Sequence, residues 1–161
     1  MQPEFRNIFE YRNGELYWKV SPKNNKLLGQ RAGTLDTNGY RKVSVRGVRY
    51  LEHVVIWVYH NGDIPEGFEV DHKNPKRKFD NSIENLRLAT KSQNNQNHCI
   101  SKRNSSGVKG VSWHKKSEKW EARLRCNGVS HYLGLYSNID DAEKVIMLKR
   151  DKLHGEFSNH G

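Results

Sequence analysis

The N-terminal third of the chain consists of short apolar-polar alternations that are broken by turn residues. The runs GELYWKV, GYRKVSV and VRYLEHVVIWVY are separated by Asn-Gly and Arg-Gly pairs, which are typical of two-residue turns between antiparallel strands. The third run also places Val54, Trp57 and Val58 at the i, i+3, i+4 spacing of a helix. We therefore predict an antiparallel meander followed by a helix, which ends at Gly62 because glycine and the nearby Pro65 stop helices.

The middle of the chain is predicted to form a short hairpin followed by a helix. A brief apolar strand ends at Val70, a polar loop rich in lysine and arginine follows, and NLRLA returns as a second strand. Thr90 and Gln93 have the spacing of a capping box, in which each side chain bonds the other residue's backbone. A helix is therefore expected to begin at Thr90, and the polar stretch NHCISKRNSSG after it has the composition of a linker.

The last third changes to longer alternations. The runs VKGVSWH, KWEARLRC and VSHYLGLY are separated by turn-rich pieces, and the pair Asn127-Gly128 is a strong hairpin signal. A helix is expected to begin with Ser137 or Asn138 as its cap, because the acidic residues that follow suit a helix N-terminus. These patterns predict a compact β-β-β-α module.

Composition narrows the class of protein and of partner. Of the 161 residues 34% are hydrophobic, and because no run approaches the roughly 18 apolar residues of a spanning helix, a membrane protein is excluded. The aromatic residues, 10% of the chain, argue against full disorder. The net charge of +10 favours nucleic acid as the partner, because lysine and arginine gain affinity when they release counterions from phosphates.

The cysteines and the N-terminus indicate the cellular compartment. Cys99 and Cys126 are too few and too far apart for paired zinc-binding clusters or for a disulfide framework. The first ten residues carry charges and no apolar core, so we expect no signal peptide. The expected location is therefore cytoplasmic, inside a bacterial host cell, with both thiols free.

Candidate chemistry centres on Asp71 and His72, at the end of the predicted strand. An acidic oxygen ligand beside an imidazole base is what metal-assisted hydrolysis requires. Neighbouring side chains on a strand point to opposite faces, so the strand must bend or end for both to reach one site. Asn94, in the first turn of the predicted helix, would add an amide oxygen if that turn packs against the strand. Asn81 and Asn85 complete the cluster, although asparagines are also common turn residues.

One string of the chain, residues 53–97, combines several fixed elements in one order: HVVIWVYHNGDIPEGFEVDHKNPKRKFDNSIENLRLATKSQNNQN. A His before an apolar-Trp segment is followed by NG-x-IP-x-G, V-D-H, N-x-x-x-N-L-R and N-x-x-N. In this order they resemble the HNH nuclease motif of phage and intron homing endonucleases. The resemblance implies a ββα-metal fold that holds one divalent cation, Mg²⁺ or Mn²⁺, between hairpin and helix.

Carried over residue by residue, the resemblance implies that His72 is the general base and that Asp71 and Asn94 are metal ligands. Asn85 matches the central Asn of the motif, which holds the hairpin loop and orients the histidine. The loop would face the backbone of the cleaved strand with three basic residues: Lys76, Arg77 and Lys78.

The chain departs from the family pattern in two places. Many HNH enzymes carry a second His where Asn94 stands, so Asn95, Asn97 and His98 are alternative ligands, and the loop lacks the Gly that is common in relatives. His53 matches the upstream His of the family, but a structural histidine hydrogen-bonded under the hairpin is the favoured interpretation.

The C-terminal strings SGVKGVSWHKKSEKWEARLR and HYLGLYSNIDDAEKV resemble the apetala-two or ethylene-response-factor type of DNA-binding domain, from about Ser106 to Phe157. That family reads the major groove with its three-stranded sheet. Alternation puts Arg123 and Arg125 on one face of a strand, where they suit guanine edges, whereas Trp113 and Trp120 have packing as an alternative role. With the basic linker, the resemblance implies these DNA contacts: Lys102, Arg103, Lys109, Ser112, His114, Lys115, Trp120, Arg123 and Arg125.

The expected fold class is α+β, with an antiparallel β-rich segment, a ββα-metal nuclease region and a small three-stranded antiparallel sheet with one packed helix. The expected boundaries are a β-rich region at 1–50, the HNH nuclease at 51–98, a basic linker at 99–106 and an apetala-two-type domain at 107–161.

The expected function is that of a metal-dependent homing endonuclease, which hydrolyses double-stranded DNA with a His-activated water as a monomer or weak dimer. One alternative is a sequence-specific DNA-binding regulator with a decayed nuclease centre, against which the intact candidate residues argue. The other is an RNA-processing nuclease, which is disfavoured because the major groove of A-form RNA is too narrow for a sheet.

Overall fold

The computed structural model describes residues 4–20 and 26–161, and the chain divides into two compact units. Met1–Ala89 forms the first unit and Thr90–Gly161 the second. The chain combines small antiparallel sheets with few helices, which agrees with the predicted α+β class. Within the described residues, no helix is both long enough and apolar enough to cross a membrane.

The described residues of the first unit form three small sheets. In chain order its elements are α1 (Phe5–Ile8), β1 (Phe9–Arg12), β2 (Glu15–Trp18), β3 (Thr34–Leu35), β4 (Arg41–Val45), β5 (Val48–Leu51), α2 (Glu52–Asn61), β6 (Phe68–His72) and β7 (Leu86–Thr90). The sheets are β1-β2, β3-β4-β5 and β6-β7.

Tight turns close the hairpins β1-β2 and β4-β5, and the Arg-Gly turn of the second hairpin was predicted. Of the predicted Asn38-Gly39 pair, which lies between β3 and β4, Gly39 has a positive φ of 82°. Both residues of the pairs Asn13-Gly14 and Arg46-Gly47 have positive φ, which the favoured two-residue hairpin turn requires. The predicted single meander is wrong, however, because β2 and β3 are not neighbours in one sheet. An isolated bridge between Tyr17 and Arg31 links the two regions instead.

Helix α2 packs against these sheets with a face that the sequence pattern did not reveal. The helix itself is confirmed, and it ends where Gly62 adopts a φ of 84°. Val55 and Ile56 are fully buried, which stabilises the unit by about 1.5–3 kcal/mol for each side chain. Glu52 and His53 share this buried face, whereas the predicted apolar stripe is only partly buried. The other buried members of this core are Phe5, Phe9, Leu16, Trp18, Ala32, Val43, Val45, Val70 and Leu86.

The β6-β7 hairpin carries the residues singled out for chemistry. Strand β6 continues two residues beyond the predicted end at Val70, so Asp71 and His72 are its last residues. A hydrogen bond of 2.7 Å from the Lys73 N–H to the Asn85 carbonyl closes the loop. The loop therefore begins and ends at fixed points of the hairpin.

The second unit contains α3 (Lys91–Asn97), β8 (Val111–His114), β9 (Lys119–Cys126), β10 (Val129–Tyr136) and α4 (Ile139–His154). The capping box predicted at Thr90 and Gln93 is present at the start of α3. Strand β9 is the central strand of the antiparallel sheet β10-β9-β8, and Asn138 caps α4 by accepting a hydrogen bond from the Asp140 N–H. The predicted β-β-β-α succession is thus observed.

Helix α4 covers one face of this sheet. The buried core consists of Val111, Ala122 and Leu124 from the sheet with Ala142 and Ile146 from the helix. Because alternate residues of a strand face opposite sides, the residues of β9 on either side of Leu124 point away from the helix. That outer face is exposed at Arg123 and Arg125.

Candidate active site

His72 lies at the end of β6 with its ring held in place. The side chain is buried, with 6% of the residue exposed. Its Nε2 lies 2.9 Å from the Oδ1 of Asn81, which returns from the hairpin loop. The predicted base therefore has a fixed orientation, and Asn81 provides a hydrogen bond to its ring.

Glu52 stands behind Asn81. The Nδ2 of Asn81 donates to Glu52 Oε2 at 3.0 Å, and the Leu16 N–H donates to Glu52 Oε1 at 3.3 Å. Guanidinium nitrogens of Arg31 and Arg41 lie 3.6 Å and 3.9 Å from the same Oε2 atom. Burial raises the pKa of Glu52, and these cations and hydrogen bonds oppose that rise. Glu52 was not among the residues expected at the site.

His53 packs against His72 inside the unit. The two ring centroids are 4.9 Å apart, and Tyr40 approaches His53 from another side at 6.0 Å. Burial, with a smaller effect from the charge of His72, lowers the pKa of His53 to about 3. His53 is therefore neutral at physiological pH, as a structural histidine should be.

Asp71 is held by an arginine of the paired strand. The Nε of Arg87 in β7 donates to Asp71 Oδ2 at 3.0 Å, and both side chains are buried. A buried pair of this kind depends on both partners, because either charge alone would be strongly destabilised. Arg87 is the arginine of the N-L-R motif, and the sequence pattern alone does not predict its pairing with Asp71.

Asn85 braces the hairpin loop. Its Oδ1 accepts from the Asn74 N–H at 3.2 Å, and its Nδ2 donates to the carbonyls of Arg77 at 3.2 Å and Asp80 at 2.8 Å. The side chain thus bonds the loop at three backbone points. It makes the loop contacts implied by the resemblance, while the direct contact to His72 comes from Asn81.

The donor chemistry of the expected metal ligands fits a hard divalent cation. Asp71 supplies a carboxylate, and Asn94 an amide oxygen on α3 in the second unit. A carboxylate has two oxygens, so the Arg87 hydrogen bond to Oδ2 does not by itself exclude a cation from Asp71. Mg²⁺ usually binds through one or two carboxylates together with waters and phosphates, rather than in a cage of protein ligands. The described residues contain no cluster of three or more His, Cys, Asp or Glu suited to a metal.

A cationic cleft of about 390 Å³ adjoins Glu52 and Asn81 in the first unit. Its walls carry three cations, Arg31, Arg41 and Lys78, against two carboxylates, Glu15 and Glu52, so the net charge of the lining is 3 − 2 = +1. Of the loop residues expected at DNA, Lys78 lies 4.8 Å from the ring centroid of Phe79, and Arg77 pairs with Asp80 at 3.8 Å. Lys76 completes the loop as part of the short 3₁₀ turn Pro75–Arg77.

The second unit presents part of the expected DNA-binding set on the outer face of its sheet. Arg123 and Arg125 of β9 share that face, and Ser130 and Tyr132 of β10 are their direct partners across the strands. The guanidinium carbon of Arg123 lies 5.8 Å from the centroid of the exposed Tyr132 ring. Four further members of the expected set are exposed, Lys102, Arg103, Ser112 and Lys115, and His114 is partly buried.

Two residues of the expected set have other contacts. Trp120 packs against the core beneath the sheet, and it forms an edge-to-face pair with Trp113 at 5.0 Å. It therefore shares the helix side of β9 with Ala122 and Leu124, not the face of Arg123 and Arg125, and its contact with DNA stays a prediction. The strand alternation already contained this signal.

Lys109 is engaged within the second unit. Its Nζ donates to the carbonyls of Gln96, His98 and Asn159, at 2.9, 2.5 and 2.9 Å. An ammonium has three hydrogens, so these bonds use its full donor capacity. Burial lowers the pKa of Lys109 to about 8, with a smaller effect from the charge of Arg150. This geometry supports a structural role.

Comparison with known proteins identifies the family. A family model described as HNH endonuclease matches residues 50–96, the segment that contains α2 and the β6-β7 hairpin. Protein 3.8 of Escherichia phage T7 is 33% identical over 108 residues, which cover 66% of this chain and 86% of that protein. A protein of Acanthamoeba polyphaga mimivirus, described as an uncharacterized HNH endonuclease, is 28% identical over 141 residues, or 88% of this chain and 68% of that protein. No solved structure matches.

The family match thus covers the β6-β7 hairpin, which carries Asp71 and His72, and both relatives are viral proteins. The chain belongs to the HNH endonuclease family. The family is one of DNA nucleases, which are hydrolases, and its members generally depend on a divalent metal. The family match does not extend to the C-terminal module, so the apetala-two resemblance there stays a prediction.

Proposed function

We propose that this chain is a metal-dependent DNA endonuclease of the homing type, in which His72 removes a proton from the attacking water. The observation that carries the proposal is the buried hydrogen bond of 2.9 Å between His72 and Asn81, at the end of β6 beside Asp71. A general base needs a fixed position within reach of the proton it accepts, and this bond supplies the fixed position.

The reaction is hydrolysis of one phosphodiester bond. The water gives its proton to His72, its oxygen bonds to phosphorus, and the bond from phosphorus to the 3′ oxygen breaks. The leaving 3′ oxygen takes up a proton from solvent water, so the products are a 5′ phosphate and a 3′ hydroxyl. Mg²⁺ or Mn²⁺ bound by Asp71, with Asn94 as the second ligand expected from the sequence, would stabilise the negative charge that develops on the phosphate and on the leaving oxygen.

Double-stranded DNA is the proposed substrate. The cationic cleft and the basic loop of the first unit suit the backbone of the cleaved strand, because lysine and arginine bind phosphates. Arg123 and Arg125 in the second unit are proposed to contact base edges in the manner of the apetala-two type. One such centre cleaves one strand at a time, so the protein is proposed to nick as a monomer or to cut both strands as a weak dimer on DNA.

The test is the nicking of supercoiled plasmid that carries the native locus, with Mg²⁺ and with EDTA. The wild-type chain is expected to nick only with the metal. His72→Ala should lose about 10²- to 10⁴-fold in rate while it keeps its DNA affinity, since a positioned base is worth that much. His60→Ala, which removes a histidine at the end of α2, serves as the matched control. Undiminished nicking by His72→Ala would refute the proposed role.

A second candidate function is favoured by one contact. The buried Arg87 hydrogen bond to Asp71 could neutralise the proposed metal ligand, as in a DNA-binding regulator whose nuclease centre has decayed. The same plasmid assay separates the two, because a regulator would bind the locus tightly and leave it supercoiled at every Mg²⁺ concentration. Metal-dependent nicking excludes that candidate.

A further inference from the structure

Three buried side chains form a chain of hydrogen bonds that ends at the proposed base. Glu52 of α2, Asn81 of the hairpin loop and His72 of β6 are 1%, 8% and 6% exposed. The links are 3.0 Å from Asn81 Nδ2 to Glu52 Oε2 and 2.9 Å between Asn81 Oδ1 and His72 Nε2. The hydrogen bonds therefore connect three separate elements and end at one ring nitrogen, Nε2 of His72.

The chemistry of these groups determines which atom donates and which accepts in each hydrogen bond. An ionised carboxylate only accepts hydrogen bonds, so Glu52 requires the NH₂ end of the Asn81 amide. The amide oxygen of Asn81 must then face His72, and it only accepts as well. The ring nitrogen Nε2 therefore carries the hydrogen. Because a neutral imidazole has a single ring hydrogen, Nδ1 is left with the lone pair.

The groups around Glu52 favour its charged form. The Leu16 N–H donates to Oε1 at 3.3 Å, and Arg31 and Arg41 lie within 3.9 Å of Oε2. A neutral Glu52 could instead donate to the amide oxygen and allow Asn81 to turn over, which would offer an N–H to Nε2 and move the ring hydrogen to Nδ1. The two guanidinium groups thus favour the orientation of the Asn81 amide in which its oxygen faces His72, in addition to stabilising the unit.

We propose that Glu52 and Asn81 are positioning residues, which fix His72 as the tautomer with hydrogen on Nε2 and so make Nδ1 the atom that accepts the proton from water. This inference rests on the proposed nuclease function for the identity of the base. It adds that the Glu52 carboxylate on α2, which is linked to the ring through two hydrogen bonds, determines which ring nitrogen accepts the proton.

The direct test is a nitrogen-15 spectrum of the metal-free full chain with labelled histidines, at about pH 8.5, where an ordinary imidazole is neutral. The signals of His72 are identified by their absence in His72→Ala. The expected wild-type result is a hydrogen on Nε2 that exchanges slowly with water, because it is buried and bonded. A hydrogen on Nδ1 overturns the inference, and this result needs no variant that must fold.

The variants Glu52→Gln and Asn81→Leu add the causal step. In both, the Nε2 hydrogen should exchange at least about 10-fold faster, and kcat for nicking should fall, by about 10-fold in Glu52→Gln and about 10²-fold in Asn81→Leu, with KM unchanged. The rates are compared at equal folded fraction, measured from thermal melting curves. Glu10→Gln and Asn61→Ala are the matched controls, since Glu10 pairs with Arg12 on the surface and Asn61 bonds only the helix backbone at Trp57 among the contacts described.

The outcomes also separate this inference from the proposed function. If folded Glu52→Gln keeps wild-type kcat and wild-type exchange of the Nε2 hydrogen, the proposed positioning role of Glu52 is overturned. The proposed nuclease function still stands in that case if the wild-type chain nicks plasmid. A wild-type chain that holds the hydrogen on Nε2 but nicks no DNA with any divalent metal overturns the nuclease itself.

Discussion

Acid should destabilise the first unit through His53. Its pKa is about 3 in the folded chain, against 6.5 for an unperturbed histidine, because the ring is buried beside His72. Above pH 6.5 the ring is neutral in the folded and the unfolded chain, so His53 has no effect. As the pH falls below 6.5, the unfolded chain takes up a proton that the folded chain refuses, and stability decreases.

The size of the effect follows from the same difference in pKa. Each pH unit below 6.5 costs about 1.4 kcal/mol, which gives about 2 kcal/mol at pH 5 and a limit of roughly 5 kcal/mol near pH 3. His53→Leu should remove this dependence. The free energy of unfolding of the wild-type chain should therefore fall by about 2 kcal/mol more than that of His53→Leu between pH 7 and pH 5.

The assay is urea unfolding at the two pH values, followed by tryptophan fluorescence. Of the chain's four tryptophans, Trp113 and Trp120 lie in the second unit, so their replacement by Phe confines the signal to the first. His60, whose pKa is also lowered by burial, is present in both proteins and cancels in the comparison. Equal pH dependence in wild type and His53→Leu would refute the assignment of the acid sensitivity to His53.

Two further predictions concern the arginines of the site and of the sheet. Arg87→Leu should lower the free energy of unfolding by about 3–5 kcal/mol, because it removes the guanidinium partner of the buried Asp71 carboxylate. The double variant Arg87→Leu/Asp71→Leu should recover most of this loss in urea unfolding, and a double variant as unstable as Arg87→Leu alone would contradict the pairing. Arg125→Ala should cost about 1–3 kcal/mol on the cognate duplex and little on a scrambled one, whereas Lys102→Ala should weaken both equally. Fluorescence anisotropy at several salt concentrations measures this, and identical losses for both variants would reduce the sheet to an electrostatic tether.

Local signals in the sequence predicted the elements well. The Asn-Gly and Arg-Gly turns, the capping box at Thr90 and the cap at Asn138 each depend on a few neighbouring residues, and all are present. The interactions that form them lie within one turn or one helix end, so a local sequence pattern is enough to predict them.

The errors concern which face of an element is buried. Glu52 lies directly after a strand and is the first residue of α2, and this position indicates an exposed carboxylate that interacts favourably with the helix N-terminus. Its burial depends on Arg31, Arg41 and Asn81, which are distant in sequence and which no local pattern connects to it. Trp120 is the opposite case, because the alternation along β9 is sufficient to place its side chain on the same face as Ala122 and Leu124.

The unequal lengths of β8 and β9 set a limit on how the chain can be divided. Strand β8 pairs with β9 as far as Ala122, with one further bond between Gly110 and Arg123. Beyond that point α3 lies alongside, where Gln96 contacts Cys126 and Ser92 bonds Asn127. A fragment that begins after α3 would expose this bare strand edge, and exposed edges recruit strands of other molecules. We therefore expect a C-terminal fragment that starts at Thr90 to self-associate less than a fragment that starts after α3.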